Sequence, residues 1–238
     1  MDTRKNDEFL VPQKSEISAA IKKHDFVEIE YTGKIKEDNM IFDTTYEKVA
    51  KENHLHGHDF GPIVVCIGEE HVLKGIDKQL EGKETGKEYS IEIKPEDAFG
   101  SKNAQLIKLM PTNKFKQQNI QPMPGLHVKI DGIAFTIKTV SGGRTLVDFN
   151  HPLAGKELVY HVKVNKKITD DKEKLAGYVK LSLGTKDFSV EIKETDAKIA
   201  LKTDIPEEAK DEISRKLKEL IPSIKKVEFS AEKKAKNK

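Results

Sequence analysis

The hydrophobic period of this chain changes twice between Val27 and Ile93, and that change limits the folds open to it. Val27, Ile29 and Tyr31 fall on one face of an extended segment, with Glu28 and Glu30 on the other, the alternation of a strand with one wet side. Ile63 to Ile67 is an unbroken apolar run ended by Gly68, which reads as a buried strand. Val72, Leu73, Ile76 and Leu80 then recur at helical spacing, with Gly75 where a helix begins. Tyr89, Ile91 and Ile93 return to period two before Pro95 ends the strand. One short helix beneath β strands satisfies these patterns. The first strand is expected to turn at Thr32-Gly33, and the polar stretch from Glu47 to Gly61 interrupts the β pattern with no strong period of its own.

The rest of the chain divides by the same signals. Val128-Lys129-Ile130 and Phe135-Thr136-Ile137, joined through Asp131-Gly132, read as a hairpin with a favoured two-residue turn. Ser141-Gly142-Gly143 marks a second turn before Leu146 to Phe149. Beyond Asn150-His151-Pro152 a strand over Leu158 to Val164 can rejoin the first unit. Residues 101–149 therefore read as an insertion in a discontinuous domain of 25–100 plus 150–167. A third unit begins near Thr169, where Phe188, Val190 and Ile192 alternate, as do Ile199 and Leu201. Asp204-Ile205-Pro206-Glu207-Glu208 then starts a helix with a capping acid, an early proline and acids at the positive end of the dipole. Ile213, Leu217, Leu220 and Ile221 stripe that helix, and Val227 and Phe229 suggest a last strand. Residues 168–230 read as a small α+β domain. Residues 1–24 read as an extension with a short helix over Ser15 to Lys23, and 231–238 as a basic tail.

Composition narrows the function. Lys+Arg 42 and Asp+Glu 40 nearly cancel, leaving a formal +2, so no overall field points to nucleic acid or anionic lipid. The basic end, Lys233 to Lys238, reads as solvated, with docking to the ribosome or nucleic acid as the alternative. Cys66 is the single cysteine, which excludes an intrachain disulfide and a four-cysteine zinc site, and its apolar neighbours make it a small buried hydrophobe. No segment approaches the roughly 18 consecutive apolar residues of a membrane helix, and Met1 to His24 lack the apolar stretch of a secretion signal. A cytoplasmic protein without a membrane partner is expected.

The sequence contains no G-x-S-x-G, no phosphate-cradling glycine loop and no H-E-x-x-H, and no cofactor is expected. His54, His56 and His58, with His71 further on, raise a metal site, because imidazole suits zinc, nickel or copper. Gly57 lies among them and no carboxylate or cysteine completes an evident ligand set, which favours adventitious uptake over a built site.

Several short motifs stand in one order: Val27-Glu28-Ile29-Glu30-Tyr31-Thr32-Gly33, Phe42-Asp43-Thr44-Thr45, Val72-Leu73-Lys74-Gly75-Ile76-Asp77, Pro95-Glu96-Asp97-Ala98-Phe99-Gly100 and Leu158-Val159-Tyr160-His161-Val162. This series resembles the FKBP-type peptidyl-prolyl cis/trans isomerases. The segment closing with Asn150-His151-Pro152-Leu153-Ala154-Gly155 resembles the insert-in-flap domain of the SlyD-like subgroup, and the domain after Thr169 is similar to that of long archaeal members. The resemblance implies an α+β fold: an FKBP-like antiparallel half-barrel sheet around a short helix, with an inserted small β-rich domain and a C-terminal α+β domain.

The resemblance also implies a pocket. Tyr31 and Phe42 would form one wall, Asp43 a carboxylate at the edge, and Ile76 the floor. Val72 and Leu73 come from the loop before the helix, with the Leu73 N–H as donor to a bound peptide, while Phe99 and Tyr160 close the other side. Taken singly, Tyr31, Phe42 and Tyr160 read as core aromatics, Asp43 as a turn residue, and Val72, Leu73 and Ile76 as helix packing. Ile76 stands where drug-binding members often have Trp, and Phe99 where many have Tyr, which puts tight macrolide binding in doubt more than isomerase activity. The implied partners are unfolded or partly folded proline-containing polypeptides. In the insert, Leu106, Leu109, Met110, Phe115, Met123 and Ile130 belong to an apolar-rich run that either fills a small core or leaves a groove for unfolded chains. A peptide-binding module without useful turnover is the rival reading.

Overall fold

A computed structural model describes residues 20–57, 60–130 and 132–231. Its first elements are β1 (Phe26–Ile35), β2 (Ile41–Thr44), α1 (Glu47–Glu52), β3 (Ile63–Cys66), α2 (Lys74–Leu80) and β4 (Lys87–Ile93). Then follow β5 (Ile107–Pro111), α3 (Asn113–Lys116), β6 (His127–Ile130), β7 (Ile133–Ser141) and β8 (Arg144–Asp148). The chain ends with β9 (Leu158–Lys167), α4 (Asp171–Leu183), β10 (Phe188–Lys193), β11 (Asp196–Leu201), α5 (Glu207–Leu220) and β12 (Lys226–Ala231). The protein is mixed α+β with few helices. Among the described residues no helix is long and apolar enough to cross a membrane.

The first sheet is five-stranded and antiparallel, in the order β2-β1-β9-β4, with β3 also on β1. The two halves of β1 share one edge between partners: Phe26 to Ile29 pair with β3, and Thr32 to Lys34 with β2. β1 does not turn at Thr32-Gly33 but continues to Ile35. Gly33 serves packing instead of a turn: it lies opposite Tyr160, and a Cβ there would stand 2.6 Å from the Tyr160 ring. The stretch without a period contains α1, where only Ala50 is buried and Lys51 pairs with Glu47 at 2.6 Å.

One apolar core lies between this sheet and α2, with Val27, Ile29, Val65, Ile76, Leu80, Ile91 and Tyr160 all nearly sealed from solvent. The first turn of α2 holds Gly75, where a side chain would run into Ile93 of β4. Ile21 belongs to this core, and Ala20 makes a bridge to Glu84, so the described part of the expected Ser15 to Lys23 helix is not helical. The rest of that segment lies outside the described residues, as does 232–238 of the basic tail.

Residues 107–148 form a four-stranded antiparallel sheet, β5-β8-β7-β6, with Ile130 paired to Ile133 across the expected two-residue turn and Ser141 to Arg144 across the next. Phe115, Phe135, Ile137 and Val147 fill its core. The C-terminal sheet runs β10-β11-β12, the last pair parallel and bridged by α5. α4 was not legible as a helix. Asp170 caps it by accepting from the Glu173 N–H at 2.8 Å. Its Leu175 and Val179 pack with Phe26 and Cys66, so the C-terminal elements share a core with the start of β1 and the end of β3. That explains the unbroken apolar run at 63–67. The sheet core covers one face of β3 and α4 the other, and two-sided burial removes the alternation.

Candidate active site

Segments far apart in the chain build one cleft of about 760 Å³ beside the first sheet. β1 and β9 supply Tyr31 and Tyr160, the residues after β2's start supply Asp43, and the turn before α2 supplies Val72 and Leu73. Ile76 rises from α2 at 1% exposure as its floor, and Phe99 closes it from the helical turn after β4. Phe42 lies just outside this lining, in a smaller depression with Leu55, His56 and Phe60. Its ring nevertheless meets those of the cleft edge-on, at 5.8 Å from Tyr160 and 6.2 Å from Phe99. Tyr31 meets Tyr160 in the same way at 5.5 Å. Seven of the eight residues expected from the motifs thus line this cleft, and Phe42 adjoins it through its ring contacts.

Polar and charged residues also line this cleft: Glu70, His71, Lys74, Glu96, Asp97 and Lys180 stand around it, while Asp43 and the hydroxyls of Tyr31 and Tyr160 lie among the rings. The Tyr160 hydroxyl donates to Asp43 Oδ2 at 3.3 Å, a long bond. Burial raises the Asp43 carboxyl above its ordinary range, while the hydroxyls of Tyr160 and Tyr31 and the Thr44 N–H pull the other way. Burial, reinforced by the Asp43 charge, raises both tyrosines far above the usual phenol range, so both hydroxyls keep their protons and act as donors.

Backbone bonds hold the loop carrying Val72 and Leu73. Asp77, at 5% exposure, accepts from the N–H groups of Gly68 (2.9 Å) and Glu70 (3.0 Å), which shapes the turn from α2's side. The Leu73 carbonyl starts α2 by accepting from Ile76 at 2.8 Å. His71 accepts through Nδ1 from the Cys66 N–H at 3.1 Å, and burial lowers its basicity. Sequence reasoning missed Ile63, His71, Ala98, Lys180, Leu181 and Gly184 as lining residues. Ile63 and His71 were in view, but as a strand residue and a metal ligand. Nothing local places the α4 residues beside a loop more than a hundred positions earlier.

The cleft is joined to the 107–148 sheet by a tight crossing. Asn150 accepts from the Asn103 N–H at 2.8 Å and donates back to the Asn103 carbonyl at 3.0 Å and to Asp148 at 2.7 Å. His151 stacks on Phe99, centroids 4.3 Å apart and planes 6° from parallel.

Residues 108–153 match the family model described as FKBP26, IF domain. A short-type peptidyl-prolyl cis-trans isomerase of Methanocaldococcus jannaschii is 34% identical over 146 residues, 60% of this chain and 92% of that protein. This chain belongs to the FKBP-type peptidyl-prolyl cis-trans isomerases. A probable FKBP-type 16 kDa isomerase of Pseudomonas fluorescens is 33% identical over 44% of this chain and 73% of its own length. The SlyD isomerase of Vibrio cholerae is 31% identical over 54% and 59% respectively. The isomerase is thus an enzyme with SlyD-like relatives.

Its other candidate residues are placed less uniformly. Leu109 of β5, Leu106 just before it and Met123 in the loop before β6 stand exposed, at 54, 38 and 54%. Phe115 does not: at 2% exposure it is the centre of that sheet's core and is closed to any polypeptide. Met110 and Ile130 are half-buried against the same core. Ile133, exposed at 59%, joins the surface set and was missed because it follows a turn directly. His54 and His56 are exposed after α1, and His58 lies outside the described residues. Among the described residues no group of three or more His, Cys, Asp or Glu could hold a metal ion.

Proposed function

We propose that the isomerase rotates X–Pro bonds of unfolded polypeptides in the cleft between Tyr31, Phe42, Phe99 and Tyr160, over Ile76. The observation that carries this is the meeting of four aromatic rings around a sealed aliphatic floor. Rotation about the bond faces a barrier of about 18–20 kcal/mol, set by amide resonance. Twisting removes that resonance and the charge separation that water solvates best. An apolar aromatic surface against the bond therefore disfavours the planar ground state relative to the twisted one, and catalysis is differential binding. About 4 kcal/mol of such preference gives roughly a thousandfold acceleration. Asp43, held by Tyr160, faces the electropositive edge of the proline ring, and the Leu73 N–H serves as donor to the peptide chain.

In this reading residues 25–100 and 150–167 form an FKBP-like half-barrel domain, 101–149 an insert that captures unfolded chains, and 168–230 a C-terminal α+β domain. The exposed Leu106, Leu109, Met123 and Ile133 support capture, which raises the effective concentration of prolines at the cleft. Exchange NMR on a short Leu-Pro peptide tests the site: acceleration nearly flat across pH 6 to 8 and lost in Tyr160→Ala is expected. Turnover that survives Tyr160→Ala and Phe99→Ala would move the chemistry elsewhere. For the insert, Leu109→Ser/Met123→Ser/Ile133→Ser should abolish suppression of aggregation while short-peptide turnover persists. Unchanged suppression removes the capture role.

A further inference from the structure

The cleft has one wall that the isomerase motifs do not supply. Leu181 and Gly184, with Lys180, come from the last turn of α4 and line it beside Ile63 of β3. Close packing sets their position. Gly177 lies so near β3 that a Cβ there would stand 2.6 Å from Val64 Cβ, and Leu181 packs against the core below the cleft. The helix ends at this point because Gly184 takes φ 60° as its cap, a left-handed conformation open to glycine. The loop carrying Val72 and Leu73 is fastened to the same C-terminal elements. Lys216 pairs with Glu69 at 2.8 Å, and the His71 ring meets Tyr178 edge-on at 5.0 Å. A second groove, of about 330 Å³, shares Ile63, Lys180 and Leu181 with the cleft and runs along α4 to Phe188. The two concavities therefore adjoin at these side chains.

We propose that Leu181, with Ile63, forms a substrate subsite for an apolar side chain adjacent to the isomerised proline, and that the polypeptide leaves the cleft along α4. This rests on the reading of the proline pocket given above. An extended chain advances about 3.3–3.6 Å per residue, so the neighbour of a proline seated over Ile76 must meet a wall of the same cleft. Leu181 and Ile63 offer that neighbour an aliphatic surface. The contact is made in both planar and twisted states, so it acts on KM more than on kcat. The C-terminal elements then have a part in choosing which prolines are served.

The test compares full-length wild type, Leu181→Ala, Leu181→Met and Phe99→Ala on three peptides: Ala-Ala-Pro-Ala, Ala-Leu-Pro-Ala and Ala-Ala-Pro-Leu. Leu181→Ala is expected to lower kcat/KM roughly three- to tenfold more on one Leu peptide than on the all-Ala peptide, through KM. Leu181→Met should restore most of it. An equal loss on all three peptides, or none on any, overturns the subsite. Phe99→Ala should slow every peptide alike; if it does not, the proline pocket itself is wrong, whatever Leu181 does. Should Leu181→Ala fail to fold, the Leu181 methyl signals of the wild type are followed during peptide titration. Shifts with the favoured Leu peptide that are absent with the all-Ala peptide support the subsite, and their absence overturns it.

Discussion

Gly33→Ala is a small change with a large expected effect. Its backbone is ordinary extended strand, so alanine should stabilise the chain there by about 0.4–1 kcal/mol through the unfolded state. Against this, the new methyl would stand 2.6 Å from Tyr160 Cζ, 2.7 Å from Cε1 and 3.0 Å from the hydroxyl oxygen. The ring must withdraw by about 0.8 Å to reach an ordinary contact. It has little room to do so: Tyr160 is 1% exposed and boxed in by Tyr31 and Phe42. Overpacking of this kind costs about 1–3 kcal/mol, which exceeds the entropic gain, so a net loss of about 1–2 kcal/mol is expected. The displaced hydroxyl also leaves Asp43, already at 3.3 Å. Displacements approaching 1 Å in a catalytic site cost up to about a hundredfold in rate, and at least tenfold is expected here. Denaturant unfolding and exchange NMR measure both. In a Tyr160→Leu background the stability cost of Gly33→Ala should largely vanish, because the overlapping atoms are gone. Wild-type turnover in Gly33→Ala, or an undiminished cost in the double variant, would refute the argument.

Asp43→Asn should stabilise the protein near neutral pH. The folded state raises the Asp43 pKa above 3.8, so its contribution is fully present below that value and is lost as pH rises through the raised one. The advantage of the variant, read from denaturant midpoints, should shrink on acidification; a pH-independent gap would contradict it. Phe115→Ala should cost about 3–5 kcal/mol within the small 107–148 core, seen as faster hydrogen exchange there with short-peptide turnover kept. Burial pushes the Cys66 thiol up to about 12 and leaves it 0% exposed, so iodoacetamide near pH 8 should label it only after unfolding, by mass spectrometry.

The order of strands around one short helix, the hairpin at Asp131-Gly132 and the start of α5 were all written in local pattern. Each depends on residues a few positions apart: alternation for a one-sided strand, a turn dipeptide, a capping acid before a proline. The aromatic residues of the cleft were legible only through the motifs, since no local rule brings Tyr31 next to Tyr160. Three readings went astray for a common reason. Gly33 looked like a turn because its real partner lies across the sheet in β9. Phe115 and Met123 looked alike as apolar residues of one run, yet the first is sealed and the second exposed. α4 gave no helical stripe because it buries Leu175 and Val179 against β3 while Leu181 turns to the cleft, and Gly177 leaves a gap in the pattern.

Local sequence therefore determined most of the strands, the short helix α2 and the start of α5, and the motifs pointed to the aromatic residues of the cleft. Tertiary structure alone decided that a C-terminal helix completes that cleft, and which apolar residues of the 107–148 sheet meet solvent. Periodicity records burial on one side of an element, whereas burial on two sides erases it, and the meeting of distant faces depends on packing that no short window contains.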